Sequence, residues 1–268
     1  MAQRRDKRHS GPRREPRRPR FARRDMDQLE GRNVVLEALR RRQRQVFRIA
    51  LDAGARPSEK LSEIMSLASE LGVKMERISR DKLDEYSEAE VHNGIMAEAA
   101  PLPEWTLAQR LDDVLDSGQR PFFVLVDEVN YEHNLGAILR SALGAGVHGV
   151  VVPTRRGKGL TAVVQRVAMG GAEEVPLIRE GLSSALATLR KAGVRVVGAD
   201  MDGEPCWDVP MRGALALVLG GEDKGLSPTL RERCDAIARV PTGGELESLN
   251  VSVSAAVLMF EKVRQDRD

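Results

Sequence analysis

Cysteine is nearly absent from this 268-residue sequence, which holds two, together with only two tryptophans and two tyrosines. Cys206 and Cys234 stand in unrelated contexts without metal-ligand spacing. That excludes a disulfide framework and a zinc site, and it points to a reduced, cytoplasmic protein without a bound metal. Aromatic residues make up 3% of the chain, too few for an extended stacking surface. No apolar run reaches the length of a bilayer span, so no membrane association is expected. The first residues carry the arginines of a secretory leader but lack the apolar stretch that follows in one. Phosphate-loop chemistry is missing as well, because no glycine-rich turn ends in GK[ST]. Residues 144–149, GAGVHG, match the letters GxGxxG, but they close a helix and lead into a strand, the reverse of the dinucleotide-binding order.

What is present is an uneven distribution of charge. Residues 1–24 hold 11 Lys/Arg against 2 Asp/Glu, so the segment is +9 while the remainder is −7. With prolines at 12, 16 and 19 and almost nothing apolar, residues 1–24 read as a disordered basic arm. A polycation of this kind attracts phosphate backbones through counterion release, and RNA or ribosomal material is the partner it suggests. A solubilising tail is the alternative. The 41% hydrophobic content of the chain is ordinary for a globular protein of one or two domains.

Periodicity divides the rest. Residues 25–99 alternate helix and strand: GRNVVLEALRRRQ is a helix, VFRIAL a strand, SEKLSEIMSLASELG an amphipathic helix, VKMERI a strand, SRDKLDEYS a short helix and GIMAEA a strand. This reads as a small α/β domain. His92, in VHNG, is either a site residue or a structural hydrogen-bond partner. AAPLPEW opens a linker and leading helix over residues 100–119. From residue 120 to 268, apolar strands such as PFFVLV, HGVVVP, VRVVGAD and ALALVLG alternate with helices, which predicts a parallel sheet covered on both faces.

Open α/β sheets bind ligands at the carboxyl ends of their strands. Three polar clusters fall there. The first, 127–136, is followed by Arg140, six residues after Asn134; the alternative is that Asn134 only caps a helix and Arg140 makes a solvated ion pair. The second, Val218-Leu219-Gly220-Gly221-Glu222-Asp223-Lys224-Gly225-Leu226-Ser227, is either a ligand-contacting loop or a structural glycine turn. The third runs from Pro241 through Glu247-Ser248-Leu249-Asn250 into an apolar helix, where one capping residue would suffice for the helix start. None contains a cysteine nucleophile or a paired-carboxylate signature. A pocket built largely from backbone groups follows; its chemistry does not.

The runs HNLGAILRSALGAGVHGVVVP, LALVLGGEDKGLS and CDAIARVPTGGELESLNVSVSAAVLMFEKVRQ, in this order, resemble the three signature motifs of the SpoU/TrmH ribose 2′-O-methyltransferases. GRNVVLEAL and VHNGI resemble the substrate-binding domain of the bacterial 23S rRNA guanosine-2′-O-methyltransferase branch, so the likeness spans about residues 29 to 266. The resemblance implies a SPOUT-type α/β domain with a C-terminal trefoil knot, behind a small α/β substrate-binding domain. It implies an RNA-binding homodimer acting on 23S rRNA with S-adenosylmethionine. By motif position, Asn134, Arg140, Glu222, Ser248 and Asn250 would be catalytic, and Leu219, Gly220, Gly221, Val240, Leu249 and Asn250 would cradle the cofactor. The chain departs from the family pattern at Tyr131-Glu132, where Asp-Pro is usual, and at Pro241-Thr242-Gly243-Gly244, where Pro-Met-x-Gly is usual. The alternatives are 2′-O-methylation of tRNA or another rRNA position, and a non-catalytic RNA-binding protein of the same fold.

Overall fold

The computed structural model describes residues 19–89, 91–154, 159–221, 225–243 and 248–267. Glu222, Glu247 and residues 1–18 of the basic arm lie outside these.

The small domain comprises β1 (Asp27–Glu30), α1 (Arg32–Arg41), β2 (Val46–Asp52), α2 (Glu59–Glu70), β3 (Lys74–Ile78), α3 (Arg80–Tyr86) and β4 (Ile95–Ala99). Its sheet order is β1-β4-β2-β3, with only β2 and β3 parallel. Strand β1 does not announce itself in the sequence, since DQLE has little β-propensity. Tertiary partners make it a strand: Leu29 is fully buried, and the Glu30 carboxylate accepts from Ser87 Oγ at 2.7 Å and from the Glu88 and Ala89 N–H groups at 2.7 and 3.1 Å. His92 takes its structural reading. It is 2% exposed, its Nδ1 accepts from the Gly94 N–H at 3.1 Å, and its Nε2 meets Asp84 at 2.7 Å.

The arm is shorter than residues 1–24. Phe21 is 4% exposed and packs with Leu83 and Met96, with the Arg48 guanidinium 4.1 Å from its ring centroid. The N–H groups of Phe21 and Ala22 donate to Gln28 Oε1 at 2.9 and 3.2 Å. One aromatic side chain is enough to tie the described end of the arm to the small domain, because burying it returns about 2–3 kcal/mol before the entropy of ordering is subtracted.

The second domain runs α4 (Leu107–Asp116), β5 (Phe122–Val126), α5 (Glu132–Ala145), β6 (Gly149–Val152), α6 (Ala162–Ala168), α7 (Gly171–Glu174), β7 (Leu177–Arg179), α8 (Leu182–Lys191), β8 (Arg195–Pro205), β9 (Leu215–Leu219), α9 (Pro228–Arg231), β10 (Ala236–Arg239) and α10 (Val251–Arg267). Thr106 starts α4 with a capping box that includes Gln109. The six strands form one parallel sheet in the order β10-β8-β9-β5-β6-β7. Alternation along β5 shows why both faces must be covered: Phe122, Val124 and Val126 enter the core under α5 and α10, while Phe123 and Leu125 enter the core under α4 and α8. The polar end of α10 fixes that helix in place. Gln265 accepts from the Met211 N–H at 2.8 Å and donates to Val209 O at 3.0 Å, and buried Lys262 donates to Gly213 O at 3.0 Å.

The domains meet through a buried charge cluster. Arg44, between α1 and β2, has a fully buried side chain that pairs with Asp27 of its own domain and with Glu173 and Gln165 of the other. Burial raises the carboxyl pKa of both Asp27 and Glu173 despite the adjacent guanidinium. Desolvation therefore outweighs pairing at this seam.

Candidate functional site

A cavity of about 420 Å³ opens at the carboxyl ends of β8, β9 and β10. Leu219, Gly220 and Gly221 from the end of β9, Val240 from the end of β10, and Ser248 and Leu249 before α10 all line it. Gly220 is required by close approach. A Cβ there would sit 2.1 Å from the Gly225 carbonyl carbon and 2.4 Å from the Leu226 nitrogen. The loop folds back because Gly221 and Gly225 exchange backbone hydrogen bonds of 3.1 and 3.2 Å. Gly225 supplies the positive φ of 65° that such a return needs.

Among the lining residues that the sequence did not single out are Ala199, Asp200 and Met201. They lie where the pairing of β10 with β8 breaks register, Ile237 facing Gly198 but Ala238 facing Glu204. The intervening β8 residues bulge out of the ladder, and the bulge brings Asp200 to the cavity. Its carboxylate lies 3.3 Å from Arg231, which also holds Asp202 at 2.8 Å. The rule that ligands bind at strand carboxyl ends would have selected Asp200, the last residue of VRVVGAD, but a bulge cannot be read from that stretch. Thr242, Ser254 and Leu258 complete the wall.

Asn250 plays a double part. It is not among the residues lining the cavity, although the motif reading placed it with the cofactor as well as with catalysis. Its Oδ1 accepts from the Ser252 N–H at 2.9 Å and from Ser252 Oγ at 2.6 Å, so Asn250, not Ser248, caps α10. Its Nδ2 donates to Asn134 Oδ1 at 3.1 Å, across 116 residues of sequence. Asn134 itself does not cap α5. That position belongs to Tyr131, whose carbonyl accepts from the Asn134 N–H at 3.0 Å. The structure thus brings Asn134 and Asn250 together beside the cavity. Arg140 is exposed on the same helix, about 9 Å farther along its axis at 1.5 Å per residue.

The remaining chemistry is passive. Burial pushes the Cys234 thiol up to about 11, and the thiol donates to Leu230 O at 3.3 Å, so it is no nucleophile at neutral pH. Among the described residues no group of three or more His, Cys, Asp or Glu could hold a metal ion, and no helix is long and apolar enough to cross a membrane. A larger cavity, about 700 Å³, lies at the domain seam between Trp105, Arg179 and Glu173. It has neither the glycine walls nor the asparagine pair, so the smaller cavity is the candidate active site.

Comparison with known proteins places both domains in one family. Residues 121–260 match the model of the SpoU rRNA Methylase family, and residues 28–105 match that of the RNA 2′-O ribose methyltransferase substrate-binding domain. The 23S rRNA (guanosine-2′-O-)-methyltransferase RlmB of Shewanella oneidensis is 40% identical over 217 residues, covering 79% of this chain and 87% of the relative. RlmB of Escherichia coli K12 is 37% identical over 233 residues, covering 86% and 96%. The structure of the SpoU methyltransferase AviRb from Streptomyces viridochromogenes, in complex with AdoMet, aligns over 90% of both chains with a TM-score of 0.72 and 25% identity. An AdoMet-bound rRNA methyltransferase from Sinorhizobium meliloti shares the fold, with a TM-score of 0.73 at 20% identity over 90% of this chain and 87% of that one. With its SPOUT-type catalytic domain behind a separate substrate-binding domain, this chain belongs to the SpoU rRNA methylase family.

Proposed function

We propose that this chain transfers a methyl group from S-adenosylmethionine to a ribose 2′-hydroxyl of RNA, and that the RNA is 23S rRNA, modified at a guanosine. The observation that carries this reading is the Asn134–Asn250 pair set beside a glycine-walled cavity at the strand carboxyl ends. The names of the RlmB relatives support the choice of substrate.

The residues present fit the cofactor. The cavity lies within the range of small-molecule sites, roughly 300–1,000 Å³. Gly220 lets its wall pack closely against the Gly225–Leu226 backbone, and Asp200 supplies a carboxylate suited to a cationic ligand. Once bound, S-adenosylmethionine supplies a methyl already activated by its sulfonium, so no nucleophilic side chain is needed. The protein has to align the ribose oxygen and favour the negative charge that develops on it.

Hydrogen-bond polarity assigns these roles. The Ser252 N–H can only donate, which fixes the Asn250 atom it meets as oxygen. Asn250 then presents nitrogen to Asn134, which accepts with Oδ1. The Arg140 guanidinium, a fork of donors with no acceptor, orients the hydroxyl or an adjoining phosphate and stabilises the charge developing on the oxygen, and the hydroxyl proton passes to water. Glu222 and Ser248 keep the roles that the motif positions imply.

A homodimer completes the reading. Ala255, Leu258 and Met259 of α10 are buried in the chain's own core, but Val253, Val257 and Phe260 form an exposed stripe at helical spacing. That stripe is the proposed dimer face, and the cytoplasm the proposed site of action. The test is mass-spectrometric mapping of ribose methylation on total RNA from cells with and without the gene. Loss of one 2′-O-methylguanosine from 23S rRNA is expected; loss from tRNA, or from nothing, would overturn the substrate assignment.

A further inference from the structure

We propose that Arg44 is a positioning residue for methyl transfer: it locks the small domain against α6 and α7, and these back the helix that carries Asn134 and Arg140. The inference rests on the RNA-methylating function proposed above and adds a way for the small domain to govern the active site.

One guanidinium joins three elements from two domains. Arg44 Nη1 donates to Asp27 at 2.6 Å, Nε to Glu173 Oε1 at 3.0 Å, and Nη2 to Gln165 Oε1 at 2.5 Å and to Glu173. Gln165 is itself held, donating to Leu160 O at 3.0 Å. A planar fork meets all these acceptors in one orientation only. Two further polar contacts at the seam, Arg41 with Glu174 and Asn33 with Met169, are exposed, a setting in which ion pairs hold little.

Glycines remove the slack on both sides of α7. A Cβ on Gly171 would lie 2.6 Å from Leu139 O and 3.1 Å from the Arg140 nitrogen. A Cβ on Gly170 would lie 2.5 Å from the Glu37 side chain of α1. One turn earlier on α5, a Cβ on Gly136 would lie 2.8 Å from Val164 O of α6. Backbone therefore abuts backbone from α6 and α7 to α5, and on the small-domain side the Glu37 side chain packs directly against Gly170. Close-packed interiors transmit displacement instead of absorbing it.

A purely stabilising role would not need charge. Buried ion networks are often matched or bettered in stability by apolar residues of similar volume, whereas one set of donors and acceptors selects one geometry. Misplacing a reacting group by about 1 Å is enough for a hundredfold loss of rate.

The full-length Arg44→Met protein separates these roles. The expected result, measured with a 23S rRNA fragment, is a kcat about 10- to 100-fold lower. KM for RNA should stay within about threefold and the S-adenosylmethionine Kd by calorimetry within about twofold, since neither binding surface includes Arg44. Arg44→Lys should recover less than half of the loss, because it restores charge but not the fork. Gln165→Met, on the catalytic side of the seam, should shift kcat in the same direction and serves if Arg44→Met fails to fold. Wild-type kcat in both Met variants would overturn the proposal, as would a loss of cofactor binding in step with activity. A wild-type protein that methylates no RNA would instead sink the function proposed above.

Discussion

At the scale of single residues, side chains are assigned by what their partners can and cannot do. Asn250 links a helix cap to Asn134, so its removal separates chemistry from binding. Asn250→Ala should lower methyl incorporation by two orders of magnitude or more while leaving the cofactor Kd within a fewfold. The lost cap should reduce stability by about 1 kcal/mol. Equal losses in turnover and cofactor affinity would return Asn250 to the cofactor wall. His148 is assigned by the same logic. The Phe122 N–H donates to its Nδ1 at 3.0 Å and its Nε2 meets Gln119 Oε1 at 2.8 Å, an arrangement that requires neutral imidazole. Burial, then the nearby Arg110 charge, lower its pKa from 6.5. Above that value both folded and unfolded chains carry neutral imidazole and the contribution is complete. As pH falls below it the unfolded chain takes up a proton first, and stability is lost down through the folded pKa. The thermal midpoint should therefore fall between pH 7.5 and 5.5, and His148→Gln should show a shallower fall; parallel curves would refute the assignment.

Elements with strong periodicity or double-sided burial were legible before folding. Strands β5, β6 and β9 are apolar on both faces and α10 follows a polar turn; their burial matches the pattern. What the sequence concealed depends on distant partners. Strand β1 exists because β4 pairs with it, and the GAEE of α7 is too short to show a period. Arg44 sits in a run of arginines that reads as solvated surface, yet it is buried because Asp27 and Glu173 lie 17 and 129 residues away. The site divides in the same way. Glycines and asparagines stood out at loop positions, whereas Asp200 depends on a register break. The loop from Gly220 to Gly225 yields the prediction at this scale. Gly220→Ala places a methyl group inside backbone atoms, so the loop must open. Cofactor affinity should drop at least tenfold, with the denaturation midpoint of the rest of the fold little changed. Normal affinity in that variant would show that the loop does not form the cradle.

For the whole molecule, the two proposed associations, with a second copy and with RNA, fall at opposite ends of the chain. Phe260, 47% exposed, continues the stripe of Val253 and Val257, and Phe260→Glu should convert a dimer to a monomer by light scattering. A monomeric wild type would remove the dimer proposal altogether. At the other end, residues 1–18 hold eight of the arm's arginines and lysines, while Phe21 anchors the segment that follows. Two truncations thus have different consequences. Removing residues 1–18 deletes eight cations and leaves Phe21 in the chain. RNA affinity should weaken most at low salt, the slope of log affinity against log salt should become shallower by about 0.7 per lost single-strand phosphate contact, and kcat should hold. Removing residues 1–24 also takes Phe21 from its place beside Leu83 and Met96, and the small domain should lose about 3–5 kcal/mol, the cost of deleting a buried phenyl ring. An unchanged salt slope in the shorter truncation would show that the arm does not meet RNA. Equal stability in the longer one would return residues 19–24 to the arm.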